Sequence, residues 1–293
     1  MENLLIYLSF KMYNAIIQYM EKDISVLMSV YKNDVPKNVI TAVESVVNQT
    51  LQPKQIVMVV DGPVSKEMEE VLKQLQKKYN IFDLHFQEVN QGLGKTMANG
   101  TAFCKYNYIA RMDSDDIAMP ERFEKQMKIF EEHPEIDMVG STAQEFFNEP
   151  ENLAGVKWVP ETNEQIVEFM KSRCPFCHMT VIMKKDILEK AGGYKDWFYA
   201  EDWYLWIRMY LAGAKFYNIQ ENLVLARINY DTFARRGGLK YYKSIKGLLK
   251  FMKDNKMIGF VKYNKEKCRR FIGHVLIPKK LKNRMYRKYL RKN

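Results

Sequence analysis

An α/β domain with a mostly parallel, Rossmann-like sheet flanked by helices, followed by a basic helical C-terminal extension, is the architecture this sequence predicts. Two observations carry the domain. Short apolar runs rich in β-branched residues alternate with segments of helical periodicity from residue 23 onward, which implies βαβ units with right-handed crossovers. At 293 residues, 34.7 kDa and 47% hydrophobic residues, the chain can bury a full core, either as one large domain or as about 200 residues plus an appendage. A third observation carries the extension. From Arg235 to Asn293 there are 21 Lys and Arg against two acids, Asp254 and Glu266, a balance of +19, whereas residues 1–234 hold 25 basic and 33 acidic groups, or −8.

The elements follow in order. MENLLIYLSFKMYNAIIQYMEKD at the start is apolar but has no basic n-region or small-residue cleavage site. Lys11, Asn14 and Gln18 interrupt it short of the ~20 apolar residues a span requires, so residues 1–22 read as an added helix that packs on the domain or touches lipid. DISVLMSV (23–30) is a strand, and PKNVITAVESVVNQT a helix with Pro36 near its start. The unit recurs as QIVMVVDG with SKEMEEVLKQLQKKY, then FDLHFQEV with GKTMANGTAFC, and ends in YNYIARMD. ERFEKQMKIFEEH is a helix and IDMVGSTAQEFF a strand. TNEQIVEFMKS reads as a helix, HMTVIMKK as a strand, KDILEKAGG as a short helix, and EDWYLWIRMYLAG as a helix stopped at Gly213. KFYNI and LVLARI read as two short strands. GLKYYKSIKGLLKFMKDN and PKKLKNRMYRKYLRKN read as basic amphipathic helices.

Several motifs fail on inspection. GLGKT lacks the first P-loop glycine, because residue 89 is Val89, and GxGxxG fails at Met97. DSDDIA departs from a calcium loop at Ile117 and Ala118. CPFCH (174–178) has the spacing of haem attachment or a redox pair, but haem attachment requires export and no leader precedes it. The cysteines Cys104, Cys174, Cys177 and Cys268 are too few and irregular for a disulfide framework, which favours a reducing, cytoplasmic setting.

ARMDSDDIAMPERF (110–123) is stronger. Asp113, Asp115 and Asp116 crowd into four positions after an apolar run, and helix capping accounts for one acid, Asp116, but not for three. A hard divalent cation, Mg²⁺ or Mn²⁺, held by carboxylates and completed by substrate phosphates supplies a reason for the rest. The loop also follows a strand, where open α/β sheets bind ligands.

SVLMSVYKND, VVDGP, NQGLGKTMANG, IARMDSDDIAMPERFEKQ, AGGYKDWFYAEDWYLWIRM and RRGG occur in that order over about residues 23–238. This series resembles the family 2 glycosyltransferases of GT-A fold that build bacterial capsule, exopolysaccharide (amylovoran-type) or lipopolysaccharide repeat units. The resemblance implies a GT-A domain over 23–234, with a nucleotide-binding half (23–120) and an acceptor half (121–234), between an N-terminal extension (1–22) and a basic helical tail (235–293). It implies that Asp115 is the direct ligand of a metal, Mn²⁺ or Mg²⁺, bridging a diphosphate, with Asp113 toward ribose or the metal shell. Ser29, Tyr31, Asp61, Gly94, Lys95, Asn99, Arg111, Ser114 and His178 become nucleotide-sugar contacts, Asp61 through the uracil ring. Gly92 and Gly94 would let backbone approach the nucleotide. Arg235 and Arg236 would meet the diphosphate. Asp202, with Glu201 beside it, matches the catalytic base. QxxRW of processive members is missing, which implies one sugar added at a time.

The activity implied is inverting transfer from a nucleotide sugar, a UDP-hexose, to a lipid-linked or oligosaccharide acceptor. An anionic membrane surface is the expected partner of the tail, at about 1 kcal/mol per Lys or Arg, which suits a peripheral enzyme at the inner face of the cell membrane. The residues favour nucleic-acid binding through the tail less. A nucleotidyltransferase on a related α/β fold is the other alternative, but SVYKNDVP is not the Gly-rich loop it needs.

Overall fold

The computed structural model describes residues 23–228 and 237–277. The expected helix over 1–22, Arg235, Arg236 and the last basic segment from 278 lie outside them. One sheet organises the described chain. Its parallel part is β3(82–86)–β2(55–60)–β1(24–30)–β4(108–111), and the order continues through β8(182–184), β6(138–147), β9(216–228) and β5(117–118), with β7(153–157) paired to β6. β1 pairs in parallel with both β2 and β4, so the direction in which strands are added reverses between β1 and β4. That reversal opens a crevice at the strand carboxyl ends. Beyond β4 the sheet is mixed, because β8 joins β4 and β6 antiparallel while β9 runs parallel to β6.

Strand periodicity builds two cores, one on each face. Val26, Met28, Ile56, Met58 and Val60 face α1(36–47), α2(66–78) and α4(122–132), whereas Leu27, Val57 and Val59 face the other way, toward α3(93–101), α7(201–211) and α8(238–254). α1 begins with Pro36 in its first turn and buries Val39, Ala42, Val43 and Val46, an i, i+3, i+4, i+7 stripe. α2 starts at Ser65, whose hydroxyl accepts from Met68 N at 3.2 Å, and it has acids in its first turn and lysines in its last. α5(163–170) begins with a capping box between Thr162 and Gln165. α6(185–190) is a short helix, and α9(260–271) is followed by a π-helical turn over 272–276.

Four readings change. KFYNI and LVLARI form the single 13-residue strand β9, whose register shifts against β6 between Ser141 and Gln144 absorb the polar Gln220–Asn222 interruption. HMTVIMKK is a 3₁₀ turn (178–180) followed by the three-residue β8. β5 and β7 were not read as strands, because two residues and a glycine-containing edge give too little alternation. Finally, the tail's first helix belongs to the core rather than to an appendage: α8 buries Tyr241, Ile245, Leu248, Leu249 and Met252 in the cluster that holds Trp203 and Trp206. Its lysines mark the solvent side of a packed helix.

Candidate active site

The carboxyl edge of the parallel strands collects most of the expected residues. Ser29 lies on β1 and Tyr31 just beyond it; Asp61 follows β2; Arg111 ends β4, and Asp113, Ser114, Asp115 and Asp116 form the loop between β4 and β5. β5 pairs antiparallel with β9, which returns Arg227 to the acid loop. Arg227 N donates to Asp116 Oδ1 at 2.7 Å and Arg227 Nε to the Asp115 carbonyl at 3.0 Å, while its guanidinium stacks over Phe146.

Ligand oxygens of Asp113, Asp115 and Asp116 lie within 4.8 Å of one another. A fourth acid joins them: Asp34 Oδ2 accepts from Ser114 Oγ and from Tyr31 N, both at 3.0 Å. Burial, with Asp113 nearby, pushes the Asp34 carboxyl up to about 6. Burial followed by Asp113 and Asp34 pushes Asp115 up to about 7, and burial followed by Asp113 and Asp115 raises Asp116 well above the ordinary carboxylate value. Arg227 and Arg111 oppose this at Asp115 and Asp116. Arg111, 2% exposed, pairs with Asp113, and fully buried Arg122 donates to the Arg111 carbonyl at 2.8 Å from behind.

The expectation that Asp116 caps the following helix fails. α4 has Glu121 at its N-cap with no side-chain bond, and Asp116 instead turns inward to β9. Its second oxygen, Oδ2, is buried without a hydrogen-bond partner among the described residues. A buried, unsatisfied carboxylate oxygen beside two further carboxylates fits a hard divalent cation, because an all-oxygen anionic set is what such an ion takes.

Asp61 is 6% exposed and bound to its own surroundings, accepting from Gln91 N at 2.7 Å, Gly92 N at 3.1 Å and Asn90 Nδ2 at 3.0 Å. It ties the end of β2 to the loop that launches α3. Gly62 permits that approach: at φ +81° a Cβ would stand 2.5 Å from Asn90 N. Lys95 and Asn99 are exposed on α3. Gly94 is buried, and a Cβ there would stand 3.0 Å from Asp196 Cα, so its missing side chain serves contact with the 194–200 loop.

That loop leads to the second acidic position. Glu201 and Asp202 open α7, where free backbone N–H groups favour negative charge. Asp202 Oδ1 accepts from Trp203 N at 2.6 Å, and Cys174 Sγ donates to Asp202 Oδ2 at 3.4 Å. CPFCH is thereby explained without redox chemistry. Neither cysteine is in a disulfide, and Cys177 donates instead to the Lys157 carbonyl at 3.7 Å. Trp203 and Trp206 are buried, at 4% and 0% exposure, and Trp197 donates to the Ser244 carbonyl of α8, so these rings are structural.

His178 and Tyr194 form a part-buried pair. His178 Nε2 lies 3.0 Å from Tyr194 Oη; burial and then Arg111 hold His178 well below its usual range, so it is neutral. Burial raises Tyr194; Arg111 opposes the shift, and Asp202, Cys104 and Glu201 add to it. The sequence reading missed Asp34, Arg227, Tyr194 and the Cys174 contact. Asp34 had one signal, a carboxylate in the first loop after a parallel strand, whereas Arg227 lies far along the chain and had none.

A sequence model described as Glycosyl transferase family 2 matches residues 25–191. An uncharacterized glycosyltransferase of Haemophilus influenzae is 35% identical over 268 residues, 92% of this chain and 99% of its own length. The amylovoran biosynthesis glycosyltransferase AmsE of Erwinia amylovora is 36% identical over 238 residues, covering 81% and 88%. The UDP-Gal:alpha-D-GlcNAc-diphosphoundecaprenol beta-1,3-galactosyltransferase of Escherichia coli is 33% identical over 232 residues, covering 79% and 84%. Among solved structures, residues 1–349 of S. aureus TarS in complex with UDP-GlcNAc superpose with a TM-score of 0.65 at 15% identity, over 86% of this chain and 73% of that one.

Proposed function

The chain belongs to glycosyl transferase family 2, has the GT-A fold and is a glycosyltransferase of the bacterial polysaccharide type; from that premise we propose that it inverts the sugar it transfers, from a UDP-hexose to a hydroxyl of a lipid-linked oligosaccharide. The observation that carries this reading is the convergence of Asp113, Asp115 and Asp116, with an orphaned Asp116 oxygen, at the crevice between β1 and β4. The E. coli relative supports the donor and acceptor classes, since its name gives UDP-Gal and a diphosphoundecaprenol-linked sugar.

Each residue then has a task. Asp115 and Asp113, with Asp116 at hand, would hold Mn²⁺ or Mg²⁺, whose charge stabilises the departing nucleoside diphosphate electrostatically. Arg111 fixes Asp113, and Ser114 fixes Asp34 beneath the loop. Ser29, Tyr31, Asp61, Lys95 and Asn99 line the nucleotide side, Asp61 chiefly by holding the 90–92 loop and presenting what remains of its carboxylate to the base. Arg235 and Arg236 would approach the diphosphate.

Asp202 accepts the proton of the acceptor hydroxyl as its oxygen bonds to the anomeric carbon. The bond to the diphosphate breaks on the opposite face, and the single displacement inverts that carbon. Trp203 N and Cys174 Sγ orient the Asp202 carboxylate, and neutral His178 offers a hydrogen bond without adding charge. Membrane attachment through the basic tail would bring the enzyme to a lipid-linked acceptor.

UDP release from UDP-hexoses, measured with and without Mn²⁺ in the presence of a lipid-diphosphate-linked sugar, tests the reading. Cation-dependent release that requires the acceptor is expected, with the product anomer opposite to the donor's. Acceptor-dependent release that persists in chelator would refute the metal role, and a product retaining the donor's anomeric configuration would refute the single displacement.

A further inference from the structure

α9 packs on the domain through both rings and charges, yet leaves several apolar side chains exposed on its outer face. Its domain-side contacts mix ring and charge: Tyr263 packs against the core cluster and Phe271 packs edge-on against Tyr242 of α8, while Lys262 pairs with Glu168 of α5, buried Glu266 pairs with Arg269, and Arg269 and Arg270 both donate to the Ser172 carbonyl. Its outward positions, Val261, Lys265, Cys268 and Ile272, recur at i, i+4, i+7 and i+11, one stripe of a helix, and the following turn extends the stripe to Leu276. Val261 is 80% exposed, Leu276 60% and Ile272 52%, with Phe260 beside them at 73%. Helices that only face water orient the other way, as α8 does with its lysines outward. Apolar residues gathered on one exposed face of a helix mark an interaction surface.

The charges around the stripe select the partner. Residues 256–277 carry six Lys and Arg and a single acid, Glu266, which is turned inward. The chain then continues into residues 278–293 with eight more Lys and Arg and no acid. Apolar side chains flanked by cations match an anionic lipid surface, where the apolar groups enter the headgroup boundary and the cations meet phosphate. No helix among the described residues is long and apolar enough to cross a membrane.

We propose that the outer face of α9, with Val261, Ile272 and Leu276 at its centre, is a docking surface that seats the enzyme on an anionic lipid bilayer. This deepens the membrane part of the function proposed above and rests on it, but it moves the apolar contact. α8, whose apolar side is spent on the core, takes no part in it, and α9 penetrates while the tail contributes charge. The foot of α9 also reaches the Ser172 carbonyl, two residues before Cys174 and its contact with Asp202, so docking there orients the acceptor side of the site toward the membrane.

The test is flotation of the full chain with vesicles of phosphatidylcholine containing phosphatidylglycerol, against phosphatidylcholine alone, for wild type, V261E/I272E, V261W and K279Q/K280Q/K282Q/R284Q. Wild type should partition to the anionic vesicles, V261E/I272E should lose ~tenfold or more, and V261W should gain. Both stripe variants should melt as wild type does, since they alter outward positions. Stripe variants that float like wild type while the tail variant does not would overturn the α9 surface and leave tail-mediated attachment standing. A wild type that floats no better with phosphatidylglycerol would overturn both. A dimer formed without vesicles and dissociated by V261E/I272E would give the stripe to a second copy and overturn the proposal.

Discussion

Two acidic positions of the domain stand in opposite physical states. The 113–116 loop crowds three carboxylates, with Asp34 as a fourth, where burial and mutual repulsion raise the proton affinity of Asp34, Asp115 and Asp116 and one Asp116 oxygen has no partner among the described residues. Asp202 stands at the start of α7 with both oxygens accepting, one from backbone and one from a thiol. The first group is incomplete alone, which suits a cation-binding loop. The second is already oriented by its neighbours, which suits a base that meets its substrate in place.

The contrast can be broken most severely at Asp202. In Asp202→Asn the amide keeps the Trp203 contact but cannot take a proton, so kcat should fall by about 10²–10⁴-fold with donor affinity nearly unchanged. Equal kcat in wild type and Asp202→Asn would remove the base assignment. Asp116→Asn probes the other side: it deletes a buried charge while keeping an oxygen toward Arg227 N. The metal-free protein should gain about 1–3 kcal/mol in denaturant unfolding near neutral pH, and its cation affinity should drop. A destabilised variant would mean that the Asp116 charge is already balanced.

The pH response sharpens the same point. Asp34 at about 6 and Asp115 at about 7 stand above the ordinary 3.8, so over that interval the folded state binds more protons than the unfolded one. Stability of the metal-free protein is therefore greatest below the ordinary value and is lost as pH rises through the folded ones. Its melting temperature should fall by several degrees between about pH 5 and about pH 8, and Mn²⁺ should reverse the trend because binding requires the deprotonated forms. A melting temperature that rises over that range without metal would contradict the crowding. The smallest effect is expected for Cys174→Ala, which frees one Asp202 oxygen: kcat should drop by about two- to fivefold with KM unchanged, as a weak thiol donor implies. A change confined to KM would show that the thiol does not orient the base.

Legibility followed sequence distance. β1, β2 and β4 with their carboxyl-end acids were readable because each unit is local, and period-2 strands alternate with period-3.6 helices within about 30 residues. Asp113, Asp115 and Asp202 stood out through residue order in the family-like series. Arg227 did not, because it reaches the acid loop only through the β5–β9 pairing, which joins residues 117–118 to 224–225. Asp116 was misread for the same reason, since a cap is a local partner and its actual partner is 111 residues away. The CPFCH spacing matched haem attachment or a redox pair without the export signal haem requires, and only the fold shows one thiol turned to Asp202 and the other to a carbonyl. α8 was read as a charged tail because its lysines are countable, while the burial of Ile245, Leu248 and Leu249 depends on where α7 lies.

The central claim, that the 113–116 loop binds nucleotide diphosphate through a cation while Asp202 serves only the chemistry, is tested most directly by calorimetric titration of UDP in the presence and absence of Mn²⁺. The account predicts Mn²⁺-dependent binding to wild type and equally to Asp202→Asn, with binding lost in Asp115→Ala. UDP binding that is indifferent to Mn²⁺, or that survives unchanged in Asp115→Ala, would contradict it.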